Sequence, residues 1–321
     1  QKLFVSNETV FGEYTGNWEW RNVHGEKIDS PLAPKTKTFM EREADINMVF
    51  LTLFASLKGL SPQIIRELIN AALLTRIYLH ETNEEAEWTE MVKYPEKFTF
   101  YALKALRTMK VEHIAFIPFI NKEIVTKLIH HIEALPVQSV KLAKSYLAFS
   151  MLALKEEYQL KLSPASWVQD ILQELETDGT IHGKVADLSS VFSSKLIYCL
   201  ENEHIEDLAG FEESAHFLPQ ARLFALLSGD PRISIHEQWR EGYEADVVLA
   251  ELNQNNIFRI ARETSQTLRR DGQACWFMEA NVDSLATTLI ETDESDYEIV
   301  KTFQFRSPEL GYWTAIQFHK K

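Results

Sequence analysis

Cysteine, glycine and proline are all scarce in this sequence of 321 residues. Its two cysteines, Cys199 and Cys275, lie far apart in apolar surroundings. A disulfide framework is therefore not expected, and a reducing, cytoplasmic location is predicted. The 11 glycines and 10 prolines leave little material for long linkers or low-complexity segments. We expect a globular protein that is folded along most of its length.

Long hydrophobic runs are also absent. The longest apolar run, MVFLTLFASL at residues 48–57, is about half of what a helix needs to cross a bilayer. It predicts a buried helix, and no membrane partner is expected.

Positive charge is in deficit, because 33 lysines and arginines face 47 acidic residues and the net charge is −14. The basic residues occur singly or in pairs, such as Arg269–Arg270, and never as a stripe. Nucleic acids and anionic membranes need a basic surface, so neither is an expected partner. Self-association or another protein, including a basic one, fits the charge better.

Helical periodicity dominates what is present. Ser61–Pro62 has the cap and first-turn proline of a helix start, and residues 121–135 carry apolar side chains along one arc. Short aromatic and β-branched segments follow Gly272: QACWFMEA, LATTLIET, YEIVKTFQF and YWTAIQFHK. The pattern predicts a predominantly helical α+β protein, in which a helical bundle or irregular helical array precedes a small antiparallel sheet.

The N-terminal residues have the pattern of β-strands, and they form the first predicted part of the chain. GNWEWRNV and EKID flank His24–Gly25, which is typical of a β-hairpin. We expect three parts: a hairpin and connector over residues 1–38, a helical domain over 39–205, and an α+β domain over 206–321.

Two further segments are predicted to be helical. VADLSSVFSSKLIYCL, residues 185–200, has some of the rhythm of a helix-turn-helix, although it offers only Lys195 as a cation for DNA. Ser234 and Glu237 form the spacing of a capping box ahead of residues 235–252.

Glu-x-x-His occurs twice within a short stretch, at Glu201–His204 and at Glu213–His216. Such pairs share one face of a helix and form half of the ligand set of a di-metal carboxylate site. The two motifs are too close together for two full helices, and glutamate is so common here that roughly one match is expected by chance. A solvated acidic segment is the simpler interpretation, and a divalent metal site is the alternative.

Other chemical motifs are incomplete. His130 and His131 point to different sides of their predicted helix, so they do not chelate one ion. DGTIHGK, residues 178–184, lacks the spacing and the serine or threonine of a phosphate loop. We find no Gly-x-Ser-x-Gly elbow and no reactive-cysteine signature.

The leading hypothesis is therefore a non-enzymatic helical scaffold that binds another protein in a regulatory or assembly role, without a cofactor. Its speculative contact residues are aromatic or apolar side chains among charges: Trp88, Met91, Tyr312 and Trp313. The alternative is a metal-dependent enzyme with a site between the helices and the sheet, in which His236 is a reserve acid or base. A third hypothesis, nucleic-acid binding through residues 165–200, is the weakest.

Overall fold

The fold is described by a computed structural model. It covers residues 2–4, 10–14, 18–22, 46, 48–57, 59–111, 121–158, 163, 165–189, 191–292, 296–307 and 311–321. No helix in these ranges combines the length and apolarity needed to cross a membrane.

A small antiparallel sheet lies at the N-terminal end of the chain. Its strands are β1 (Lys2–Phe4), β2 (Val10–Tyr14) and β3 (Trp18–Asn22), in that spatial order. The predicted strand around Trp18 is confirmed, but it pairs with the segment before it. The predicted partner strand at residues 26–29 lies outside the described residues.

A layer of helices follows this sheet. Its members are α1 (residues 48–56), α2 (Pro62–Glu81), α3 (Glu85–Glu90), α4 (Pro95–Thr108), α5 (Lys122–Glu133), α6 (Val140–Tyr158) and α7 (Ala165–Thr177). The predicted helix start at Ser61 is confirmed, because its side chain accepts a hydrogen bond from the backbone N–H of Ile64. Asn121 caps α5 in the same way.

The rest of the chain forms a seven-stranded sheet with helices between its strands. The strands are β4 (Gly183–Leu188), β5 (Ile205–Phe211), β6 (Ile233–His236), β7 (Ala245–Leu252), β8 (Leu268–Glu279), β9 (Tyr297–Ser307) and β10 (Gly311–Lys320). The intervening helices are a 3-10 segment (Val191–Cys199), α8 (Leu218–Ser228), α9 (Ile257–Thr267) and α10 (Asp283–Thr292).

The spatial order of this sheet is β6-β5-β4-β7-β8-β10-β9. The first five strands are parallel, and β10 is antiparallel to both β8 and β9. This is a doubly wound α/β arrangement, since the order reverses beside the first strand. The predicted helical α+β fold with a small antiparallel sheet is wrong.

Both faces of the central strands of the sheet are buried, which explains their apolar sequences. Alternate residues of β7 point to opposite sides: Val247 and Leu249 belong to the core shared with the helical layer, whereas Val248 and Ala250 belong to a second core under α9 and α10. Strands buried on both faces carry nearly continuous apolar runs, without the polar–apolar alternation of a half-exposed sheet.

Two sequence expectations fail for this reason. Residues 185–200 contain β4 and the 3-10 segment instead of a helical hairpin. Residues 235–252 contain β7 instead of a helix. The predicted domain boundary between residues 205 and 206 lies at the start of β5, which pairs with β4, and the division into three parts stays a prediction.

Candidate ligand-binding crevice

The crevice of interest lies at the carboxyl ends of β4, β5 and β7. β4 stands between β5 and β7, and the chain leaves β4 and β7 towards opposite faces of the sheet. In open α/β sheets, ligands bind outside the carboxyl ends of the strands at this reversal. We call this expected ligand position, defined by the carboxyl ends of β4, β5 and β7, the crevice, and the segment of residues 189 and 191–199 the β4 loop.

The β4 loop contains no glycine, yet its backbone enters the left-handed region three times. The φ angles are 69° at Ser189, 41° at Phe192 and 54° at Ser193. Glycine reaches this region without steric cost, and other residues seldom adopt it. The loop therefore has the backbone shape of a glycine-rich turn but carries side chains.

Here the glycine that allows close packing lies in the strand and not in the loop. A Cβ added to Gly210 of β5 would collide with the side chain of Ser193 and lie 2.8 Å from Ile235 Cδ1. Ser193 is fully buried, and its hydroxyl has no hydrogen-bond partner among the described residues. Gly210 thus makes room for the serine that crosses it.

Glu212 directly follows β5, at the carboxyl end of that strand. One carboxylate oxygen accepts the backbone N–H of Phe192 at 2.6 Å, and the other accepts that of Ser214 at 2.9 Å. The side chain is 6% exposed. Burial raises the pKa of Glu212 to about 7, and the nearby charges of Asp187 and Glu213 act in the same direction.

This raised pKa predicts a pH-dependent loss of stability. Glu212 keeps its proton up to about pH 7 when folded, whereas the unfolded carboxyl releases it near 4.5. The unfolded state is therefore favoured increasingly as pH rises between these values. We expect the wild type to lose about 2–3 kcal/mol of unfolding free energy relative to Glu212→Gln between pH 5 and pH 8. Urea denaturation at both pH values measures the difference, and parallel pH profiles of the two proteins would contradict it.

A buried ion pair lies on the other side of β4. Lys195 is 2% exposed, and its Nζ donates to Glu251 of β7 at 2.7 Å, while its backbone N–H donates to Asp187 of β4 at 3.2 Å. Burial alone would raise the pKa of Glu251, but the charge and hydrogen bond of Lys195 outweigh it and hold that pKa below its ordinary value.

Glu251 also joins three parts of the chain. Its second carboxylate oxygen accepts the backbone N–H and the hydroxyl of Ser163, each at 2.8 Å. Its backbone carbonyl accepts the hydroxyl of Ser189 at 2.9 Å and the side-chain amide of Asn256 at 3.0 Å. The ends of β4 and β7 are therefore tied to each other by direct hydrogen bonds.

The Glu-x-x-His residues do not come together. Glu201 and His204 precede β5 and Glu213 and His216 follow it, so the two pairs lie at opposite ends of a seven-residue strand, roughly 20 Å apart. Glu201 pairs with Lys144, and Glu213 pairs with Arg259. Among the described residues, no three His, Cys, Asp or Glu side chains gather to hold a metal ion.

His236 is the last residue of β6, and its side chain contacts neighbouring residues. Its ring stacks on Phe211 with centroids 5.3 Å apart, and its Nε2 lies 3.1 Å from the hydroxyl of Ser234. Burial, followed by the charge of Arg240, lowers the pKa of His236. These contacts give it a packing role.

The speculative contact residues divide by exposure. Trp88, Met91 and Trp313 are buried at 1%, 0% and 5%, so the folded surface does not present them to a partner. Tyr312 is 61% exposed. A protein partner remains a prediction.

The crevice residues were missed because each is isolated in sequence. Asp187, Lys195, Glu212 and Glu251 belong to no common spacing, and only the pairing of β4 with β5 and β7 brings them near one another. One signal was available: VADL, LAGFE and VVLAEL are apolar runs that contain or precede an acidic residue. Read as parallel strands, they would have placed three carboxylates at one edge.

No family model matches this chain, and no curated protein matches it. Among structures, TrmN from Thermus thermophilus is 15% identical with a TM-score of 0.42, over 54% of this chain and 53% of that one. A putative sarcosine dimethylglycine methyltransferase from Galdieria sulphuraria is 12% identical with a TM-score of 0.39, over 49% and 85%. N-methyltransferase NodS from Bradyrhizobium japonicum WM9, in complex with S-adenosyl-L-homocysteine, is 10% identical with a TM-score of 0.37, over 48% and 85%.

These likenesses are weak, so the fold class stands on the strand order itself. The sheet corrects the leading hypothesis: a helical scaffold is wrong, because the chain has a doubly wound sheet. The cofactor prediction, none or a divalent metal, is also replaced: among the described residues no three His, Cys, Asp or Glu side chains gather to hold a metal ion, and a different cofactor is proposed below.

Proposed function

We propose that this chain is a methyltransferase that binds S-adenosylmethionine in the crevice. The observation that carries the proposal is the set of buried carboxylates at the reversal of the sheet, Asp187, Glu212 and Glu251, against one buried amine, Lys195. When bound, S-adenosylmethionine supplies an electrophilic methyl group on a positively charged sulfur.

Glu212 suits the ribose of such a nucleoside. An acidic residue about 20 residues beyond the first strand's loop holds ribose hydroxyls in nucleotide-binding sheets of this class. The two carboxylate oxygens of Glu212 each accept one backbone N–H. Above about pH 7, where Glu212 has lost its proton, its carboxylate has roughly four acceptor positions, so about two remain for hydroxyl groups.

The β4 loop is unsuited to a pyrophosphate, which argues against a dinucleotide. Phosphate-binding loops use free backbone N–H groups and glycines that let the phosphate approach. Here the N–H groups of Phe192 and Lys195 donate to Glu212 and Asp187 instead. Carboxylates at these positions also repel phosphate oxygens.

The same charges favour a cation. S-adenosylmethionine carries a sulfonium and an ammonium group against a single carboxylate, so its net charge is positive. Buried carboxylates stabilise such a ligand more strongly than surface charges do, because the interior screens charge less than water. A positively charged adenine nucleoside therefore satisfies both the ribose and the charge requirements of the crevice.

Calorimetric titration tests the proposal. We expect wild-type protein to bind S-adenosylmethionine and Glu212→Gln to bind it at least about tenfold more weakly, because a hydrogen bond to a charged group is worth about 1.5–3 kcal/mol. Glu213→Gln is the matched control: it removes a neighbouring exposed carboxylate paired with Arg259 and should bind like the wild type. NAD should bind more weakly than S-adenosylmethionine.

Transfer of the methyl group is followed separately. Methyl-labelled S-adenosylmethionine is incubated with the protein and a cell extract, and labelled product should form with Glu213→Gln and decline with Glu212→Gln. Preference for NAD, or equal affinity of the two variants, would refute the proposed ligand site.

A cytoplasmic location remains part of the proposal, supported by the unpaired, buried Cys199 and Cys275.

A further inference from the structure

The β4 loop holds a backbone conformation that its residues disfavour. Phe192 and Ser193 are consecutive left-handed residues, and neither is a glycine. Such residues cost conformational free energy and persist only where the surroundings hold them. Two consecutive residues of this kind call for an identifiable restraint.

Backbone hydrogen bonds anchor the loop on both sides of these two residues. The N–H of Phe192 donates to Glu212, at the end of β5. The N–H of Lys195, two residues after Ser193, donates to Asp187 in β4. Both acceptors are buried carboxylates on neighbouring strands, so the loop is fixed to the sheet at two points.

The side chain of Lys195 adds a third point on a different strand. Its amine donates to Glu251 of β7 and lies 5.0 Å from the ring centre of Phe277 on β8. Ser163 also donates two hydrogen bonds to Glu251, so the carboxylate is held in place independently of Lys195. The restraint thus spans the crevice from the β4 loop to β7.

We propose that the Lys195–Glu251 ion pair is a clamp that takes the place of loop glycines. It holds Phe192 and Ser193 in the left-handed conformation, and it thereby keeps the N–H of Phe192 on the carboxylate of Glu212. Lys195 is a positioning residue, because it acts on the ligand site through the loop. The ligand part of this inference rests on the proposed function, whereas the conformational part does not.

The test replaces both members of the clamp. Lys195→Met with Glu251→Gln removes the ion pair without leaving a buried charge alone, which is the change that proteins tolerate best. We expect the amide hydrogens of Phe192 and Lys195 to exchange at least about tenfold faster than in the wild type, because local opening becomes easier. Affinity for S-adenosylmethionine should fall by about tenfold.

Glycine substitution separates a clamp from ordinary core packing. Ser193→Gly, added to the double variant, should restore slow exchange at both amides and most of the affinity, because glycine adopts φ of 54° without strain. The matched control is Ser194→Gly in the same background. Ser194 is also buried, but its φ is not positive, so glycine should loosen the loop further.

The outcomes are distinct. Unchanged amide exchange in Lys195→Met with Glu251→Gln would overturn the clamp, and so would equal rescue by the two glycine substitutions. Faster exchange that only Ser193→Gly reverses would support the clamp even if no protein in the series binds S-adenosylmethionine. That last result would refute the proposed function alone.

Discussion

Gly210→Ala is expected to lower the free energy of unfolding by about 3 kcal/mol, the upper end of the usual cost of overpacking a core. The new methyl group would collide with the side chain of Ser193 and lie 2.8 Å from Ile235 Cδ1. The strand and the loop are both buried at this crossing, so neither moves away without loss of packing.

Ser193→Gly should recover most of that loss. It removes the side chain that the alanine meets, relieves a left-handed serine, and deletes a buried hydroxyl without a partner. A double-mutant cycle by urea denaturation measures the coupling. Gly242→Ala is the control: nothing lies within 4 Å of its added Cβ, so its cost comes from its own positive φ of 85°, which Ser193→Gly does not relieve. If Ser193→Gly improved both alanine variants equally, the proposed crossing would be wrong.

Lys195→Met alone should cost about 3–5 kcal/mol at neutral pH, because it leaves the carboxylate of Glu251 buried without its cation. Glu251 is 15% exposed and its partner 2%. Lys144→Met is the comparison, because the amine of Lys144 pairs with the exposed carboxylate of Glu201 at 2.6 Å. A pair of that kind contributes less than about 1 kcal/mol.

The loss should shrink as pH falls. In the wild type, Lys195 holds the pKa of Glu251 below its ordinary value, so the pair stabilises the protein above the unfolded pKa near 4.5 and less below it. In Lys195→Met, only the hydrogen bonds from Ser163 still oppose burial, and the pKa of Glu251 should rise. Thermal unfolding at pH 4.5 and pH 7.5 compares the two proteins. A difference that is constant with pH would show that packing, not charge, accounts for the loss.

Local signals predicted the helix starts at Ser61 and Asn121 well and the parallel strands poorly, and LATTLIET, predicted as a strand, forms α10. Ser61 and Asn121 cap their helices because a cap depends on residues within one turn. The parallel strands carry no such signal: VADL and ADVVLAEL are apolar on both faces, and that pattern is shared with buried helices. The capping-box spacing at Ser234 and Glu237 lies where β6 ends, so pairing with β5 prevails over local preference.

The candidate site was also not predictable from local sequence patterns. Glu213 and His216 matched a familiar spacing, whereas Glu212, one residue earlier, matched none. What distinguishes Glu212 is its place directly after β5 and its bond to a loop 20 positions earlier in the chain. Only the pairing of separate strands creates that relation, and a single sequence does not display it.

The position of β4 has a consequence for the nascent chain. Its two neighbours in the sheet are β5, which emerges soon after it, and β7, which begins only at Ala245. At translation rates of about 5–20 residues per second, the edge of β4 that pairs with β7 remains unpaired for a time on the order of seconds. Such an edge is a template for pairing with other chains. Ribosomes that pause between β5 and β7 would therefore favour aggregation of this protein during its synthesis.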